Sequence, residues 1–77
     1  MRTLAILGVG CARCDALAEN AEKAAQEMGL DYRLVRVSDV EKILEYDVLM
    51  TPALAIDWEV RIVGIVPSVE EIKRLLA

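Results

Sequence analysis

At Gly8-Val9-Gly10 the apolar period of the chain changes, and a pair of cysteines, Cys11 and Cys14, stands at the change. Before it, Arg2 to Leu7 is a compact, nearly continuous apolar run, as a strand covered on both faces requires. After it, Cys14, Leu17, Ala18, Ala21, Ala24, Ala25 and Met28 recur at three- and four-residue intervals. That spacing predicts a helix from Ala12 to Met28 with one apolar stripe. Asp15, Glu19, Glu22, Lys23 and Glu27 fall mostly on the other side, and Gly29 is a natural C-terminal stop.

Tyr32 to Val37 reads as a second strand, with Arg33 and Arg36 pointing to partial exposure. Ser38-Asp39-Val40-Glu41 has the form of a capping box, a serine at the helix start and a glutamate three residues on. The short helix it opens is expected to turn Val40, Ile43 and Leu44 inward. Asp47 to Thr51 is a loop. Ala53 to Ile56 and Val60 to Val66 are strand-like and separated by Asp57-Trp58-Glu59, close enough for a hairpin. Pro67 precedes a second capping box, Ser68-Val69-Glu70-Glu71, which opens a last helix with Val69, Ile72, Leu75 and Leu76 on one face.

The order is β-α-β-α-β-β-α. Alternation through the first half implies a right-handed crossover and a parallel strand pair; the hairpin adds antiparallel strands. The expected fold class is α/β, a four-stranded mixed sheet with helices on both faces, in a single domain over residues 1–77. The chain is 56% apolar, enough for one modest core.

Net charge is −4, and the nine basic residues are scattered. A nucleic-acid or anionic-membrane surface needs a concentrated basic patch, so neither partner is expected. No apolar run approaches the roughly 18 residues of a membrane span. Met1-Arg2 followed by Leu4 to Val9 imitates a secretory signal, and Gly10-Cys11 a lipoprotein cleavage point. That stretch is short and broken by Gly8, and its removal would delete the first strand. The expected compartment is the cytoplasm, where structural disulfides are rare.

On these residues the chain resembles the thioredoxin/glutaredoxin superfamily, and within it the small archaeal and bacterial thioredoxin-like redox-active disulfide proteins. Gly10-Cys11-Ala12-Arg13-Cys14 is similar to the redox motif. Met50-Thr51-Pro52 is similar to the loop before the third strand, and Val63-Gly64 with Pro67-Ser68 to the closing segment. The resemblance covers essentially the whole chain. It implies a cis Thr51–Pro52 bond facing the sulfurs, with the Thr51 backbone pairing with an extended substrate segment. It also implies disulfide-containing protein substrates, a separate reductase of the flavoenzyme type and no bound cofactor; a monomer is the simplest expectation.

The chain departs from the family at several places. Ala12-Arg13 replaces the Gly-Pro or Pro-Tyr of typical members, Val9-Gly10 stands where thioredoxins carry tryptophan, and the glutathione-binding pattern of glutaredoxins is not recognisable. Trp58 occupies a hairpin position where relatives usually carry glycine.

The two sulfurs are expected to differ. Cys11 falls at the N-cap of the first helix, where unsatisfied N–H groups and the helix dipole favour thiolate over thiol. Cys14, one turn on, shares the apolar stripe with Leu17 and Ala18 and is expected to be buried. Cys11 is then the nucleophile and Cys14 the resolving thiol. Thr51, Pro52, Ala12 and Arg13 are the expected substrate-contact residues. Arg13 is also read as a solvated helix-start residue, and Met50 is expected to pack near the site.

Three rival readings share the same cysteines; one of them, an iron–sulfur cluster bridged between two chains, has no further residue pattern behind it. A structural disulfide across three residues closes a loop worth at most about 2 kcal/mol, a poor staple. A Cu(I) carrier holds its metal between two thiolates, but such domains run β-α-β-β-α-β and end in a strand, whereas this chain ends in a capped helix. A tetrahedral zinc site needs four ligands, and the chain has two cysteines and no histidine.

Overall fold

The computed structural model describes residues 1–9 and 12–77. Among the described residues seven elements follow in the expected order: β1 (Arg2–Leu7), α1 (Ala12–Glu27), β2 (Tyr32–Val37), α2 (Val40–Glu45), β3 (Ala53–Ile56), β4 (Glu59–Val63) and α3 (Val69–Leu76). The sheet order is β2-β1-β3-β4. β1 runs parallel to β2 and antiparallel to β3, and β3 runs antiparallel to β4. The fold is α/β with a four-stranded mixed sheet, a minimal thioredoxin-like architecture.

Side chains alternate across β1 and β3, so each strand feeds two cores. Leu4, Ile6, Leu54 and Ile56 face α1 and α3, where they meet Leu17, Ala18, Ala21, Ile72 and Leu76. Ala5, Leu7, Ala53 and Ala55 face the other way and pack with Ile43 and Val48. Both faces of β1 and β3 are therefore closed, which explains their unbroken apolar runs. β2 is an edge strand, and Arg33 and Arg36 are exposed on it.

The ends of α1 and α3 obey their local signals. Gly29 adopts φ +68°. Leu30 N–H donates to the Ala25 carbonyl at 3.0 Å and Gly29 N–H to Gln26 at 3.1 Å, a Schellman stop. At α3 the Ser68 hydroxyl accepts from Glu71 N–H at 3.2 Å, and the Glu71 carboxylate accepts from Ser68 N–H at 3.5 Å. At the surface the Lys73 ammonium joins α3 to Glu27 at the end of α1. This hydrogen bond, aided by the ammonium charge, holds the Glu27 carboxyl below its ordinary range.

Three expectations need correction. α2 is capped by Asp39, whose carboxylate accepts from Glu41 N–H at 3.0 Å, rather than by a Ser38–Glu41 box. Asp and Ser are comparable caps, and the first helical residue is Val40, directly after Asp39. Of its apolar residues only Ile43 turns inward, at 4% exposure; Val40 and Leu44 are 57% and 52% exposed. A six-residue helix lying on a patch of alanines has room to bury one central side chain, and Val48 from the next loop fills the rest.

The last strand is Glu59–Val63 rather than Val60 to Val66. The turn is the dipeptide Asp57-Trp58, with φ of 51° and 69°, the positive-φ pair of a primed turn. Asp57 anchors it to β1: its carboxylate accepts from Thr3 N–H at 3.0 Å, and its own N–H donates to the Thr3 carbonyl at 2.8 Å. Trp58 stacks on Tyr46, with ring centroids 6.4 Å apart and planes inclined by 16°. At the far end Gly64 at φ +77° stops the ladder. Ile65 and Val66 are apolar for other reasons: Val66 packs onto the larger core, and Ile65 is exposed.

No described helix is long and apolar enough to cross a membrane. The Ser68 cap is testable: Ser68→Ala is expected to lower stability by about 1 kcal/mol in urea unfolding at unchanged m-value.

Candidate redox site

The site forms where β1 ends and β3 begins. Leu7 pairs with Ala53 across the antiparallel ladder, so Gly8 emerges beside Pro52. α1 starts a few residues later and brings Cys14, in its first turn, back over the same point. Cys14 is wholly buried. Its place follows from the helix stripe: Cys14, Leu17, Ala18 and Ala21 lie at i, i+3, i+4 and i+7 and all face the core.

Gly8 is what lets the sulfur in. A Cβ on Gly8 would clash with Cys14 Sγ, and it would lie 3.7 Å from Thr51 Cβ. The Cys14 sulfur and the Thr51 side chain thus flank the bare Cα of Gly8. The Thr51–Pro52 peptide bond is cis. Pro52 is fully buried, whereas Thr51 is exposed.

A second glycine ties the loop to the helix. Gly64 N–H donates to the Pro52 carbonyl at 2.8 Å. The Gly64 carbonyl accepts from Arg13 Nη2, also at 2.8 Å. The Met50 side chain lies over Gly64, its Cβ 3.3 Å from where a Gly64 Cβ would stand. Arg13, Met50, Pro52 and Gly64 are therefore one connected cluster.

The charge pattern suits an anion near the start of α1. The helix presents the positive end of its dipole there. Asp15, the acidic residue of its first turn, is drawn to the sheet edge by Arg36 at 3.0 Å. Around the cluster, Val9, Met50 and Ile65 stand 55%, 64% and 52% exposed, an apolar rim on an open surface. A groove of 490 Å³ between β2 and α2, lined by Val37, Lys42, Tyr46 and Trp58 among others, shares no residue with this cluster.

Of the residues singled out from sequence, Cys14, Thr51, Pro52 and Arg13 come together, and Ala12 is exposed at the first position of α1. Cys11 lies outside the described residues. Gly8 reads from sequence only as part of a loop; its signal is a glycine directly at the end of a strand preceding the cysteine pair. The Arg13–Gly64 bond spans 51 residues and has no local signal. Among the described residues no group of three or more His, Cys, Asp or Glu side chains is placed to hold a metal.

The sequence model of a family described as "Thioredoxin domain" matches residues 2–77. The chain belongs to the thioredoxin family. It is 40% identical, over the full length of both chains, to a thioredoxin of Methanothermobacter thermautotrophicus. It is 43% identical over 76 residues to a thioredoxin of Methanocaldococcus jannaschii, covering 99% of this chain and 87% of the relative. Membership carries thiol–disulfide oxidoreductase chemistry in general, and the element order, ending in a helix, departs from that of two-cysteine copper carriers.

Gly8→Ala tests the seat of Cys14. The added methyl meets a buried sulfur with nowhere to move, an overpacking expected to cost about 1–3 kcal/mol in urea unfolding. It is also expected to speed alkylation of Cys14 in the native protein, read by peptide mass mapping.

Proposed function

We propose that this chain is a protein-disulfide oxidoreductase and dithiol electron carrier working through Cys11-Ala12-Arg13-Cys14. The Cys11 thiolate attacks one sulfur of a substrate disulfide. The substrate S–S bond breaks, a mixed disulfide forms at Cys11, and the other substrate sulfur leaves as a thiolate and takes a proton. Cys14 then loses its proton and attacks Cys11 Sγ. The mixed disulfide breaks, the second substrate sulfur leaves, and the chain holds the Cys11–Cys14 disulfide. Two electrons have passed to the substrate. A separate reductase, of the flavoenzyme class, returns them; run backwards, the same steps oxidise a dithiol.

The observation that carries this reading is the meeting of Cys14 with the cis Thr51–Pro52 loop across Gly8. Burial keeps Cys14 from bulk oxidants while leaving it one helical turn from Cys11 in sequence, which suits a resolving thiol. Thr51, Pro52, Ala12 and Arg13 form the docking edge, with the Thr51 backbone pairing with an extended substrate segment. The exposed apolar rim of Val9, Met50 and Ile65 supports a protein substrate. The same reading makes the chain a cytoplasmic monomer of one domain, residues 1–77, with no bound cofactor; two cores that share β1 and β3 support the single unit.

Reduction of insulin by dithiothreitol tests the proposal. The wild-type chain is expected to accelerate it and Cys11→Ser to abolish the acceleration. Cys14→Ser is expected to accumulate a mixed disulfide that mass mapping places on Cys11. A wild-type rate no greater than that of the double variant would reject the reading. Tight one-to-one Cu(I) binding without any exchange would replace it with a metal carrier.

A further inference from the structure

We propose that Arg13 is a positioning residue, acting through Gly64 to hold the substrate-docking loop in line with the redox helix. This inference rests on the oxidoreductase reading above and adds a specific device to it.

The geometry consists of two hydrogen bonds in series. Arg13 Nη2 donates to the Gly64 carbonyl at 2.8 Å, and Gly64 N–H donates to the Pro52 carbonyl at 2.8 Å. One peptide unit on either side of Gly64 thus joins the first turn of α1 to the loop that carries Thr51 and Pro52. The Gly64 N–H extends the β3–β4 ladder by one bond beyond Val63. Its φ of +77° then ends the ladder, so its carbonyl has no strand to face and accepts from the guanidinium instead. Met50, directly before Thr51, packs on the same glycine. Gly64 therefore receives the helix through Arg13, the loop through Pro52 and the rim through Met50.

The chemistry explains why such a brace matters. Disulfide exchange requires the attacking sulfur to approach along the axis of the bond it breaks. A docked substrate strand would be held by the loop, while the attacking Cys11 directly precedes α1 in sequence. Any slack between the two degrades that alignment. Arginine suits the task because its planar guanidinium is pre-organised and always charged, so little freedom is lost on forming the bond. The charge of Arg13 alone would act differently, by favouring the thiolate wherever the loop happened to sit.

Three readouts on the full chain separate these roles, using Arg13→Met, which keeps length and helix propensity without a donor, and Arg13→Lys, which keeps a donor. In Arg13→Met the Gly64 amide is expected to exchange with solvent about fivefold faster or more, with α3 amides unaffected as the control. The KM for insulin is expected to rise about fivefold, the size of one ordinary solvent-exposed hydrogen bond, and Arg13→Lys to recover part of both effects. Gly64 exchange unchanged in Arg13→Met would overturn the brace. Faster exchange with an unchanged insulin KM would overturn its role in docking. A shifted pH profile of cysteine alkylation, with Gly64 exchange unaltered, would assign Arg13 to charge alone and also overturn it. If the wild-type chain leaves insulin intact, the oxidoreductase reading fails by its own test and takes the docking role with it. Faster Gly64 exchange would then still show the brace as a purely structural link.

Discussion

Burial of β1 on both faces is the constraint from which the rest of this molecule follows. A strand with water on neither side must send alternate side chains into two different cores, and the two are unequal. Leu4 and Ile6 face a deep core that takes both long-faced helices, α1 and α3. Ala5 and Leu7 face a shallow one, floored by Ala53 and Ala55, that accommodates a single residue of α2 and one from the loop behind it. The lengths of the helices match this division: sixteen and eight residues on the deep side, six on the shallow side.

The position of the site is a consequence of the same strand. β1 is central, so the chain leaves it at Gly8 with β3 alongside, and the Leu7–Ala53 pairing sets Pro52 next to that exit. The helix that follows must fold back over the sheet to cover Leu4 and Ile6. Its inward stripe begins at Cys14, so the first buried side chain of α1 is a sulfur lying on the exit point. No side chain can stand at residue 8 if that sulfur is to fit, and glycine meets the condition. The candidate site of this thioredoxin-family chain is thus the place where two strand ends and a helix start are forced together.

Much of this was legible residue by residue. The apolar run of β1, the three- and four-residue stripe of α1, the Gly29 stop and the Ser68–Glu71 box are local signals, and each appears where its pattern lies. The cis Thr51–Pro52 bond came from the family resemblance, since an X–Pro bond taken alone favours trans. The failures also have local causes. Ser38 and Asp39 are adjacent capping residues, and pattern alone does not say which carboxylate or hydroxyl the first turn selects. Val60 to Val66 is uniformly apolar, yet a left-handed Gly64 divides it into a strand, an exposed Ile65 and a Val66 that joins the core.

The amino-acid order by itself determined which segments form strands and helices, which faces of them are apolar, and that the chain's two cysteines stand three residues apart at a strand-to-helix change, because those properties depend on neighbours one to four residues apart. Only the tertiary structure decided that Gly8 seats the Cys14 sulfur, that Gly64 braces Arg13 against the Pro52 loop, and that Val40 and Leu44 face water. Those outcomes depend on how closely separate elements approach in space. A bond between residues 13 and 64 leaves no trace in either residue's immediate sequence, since it exists only once the sheet has brought two distant turns within hydrogen-bonding reach.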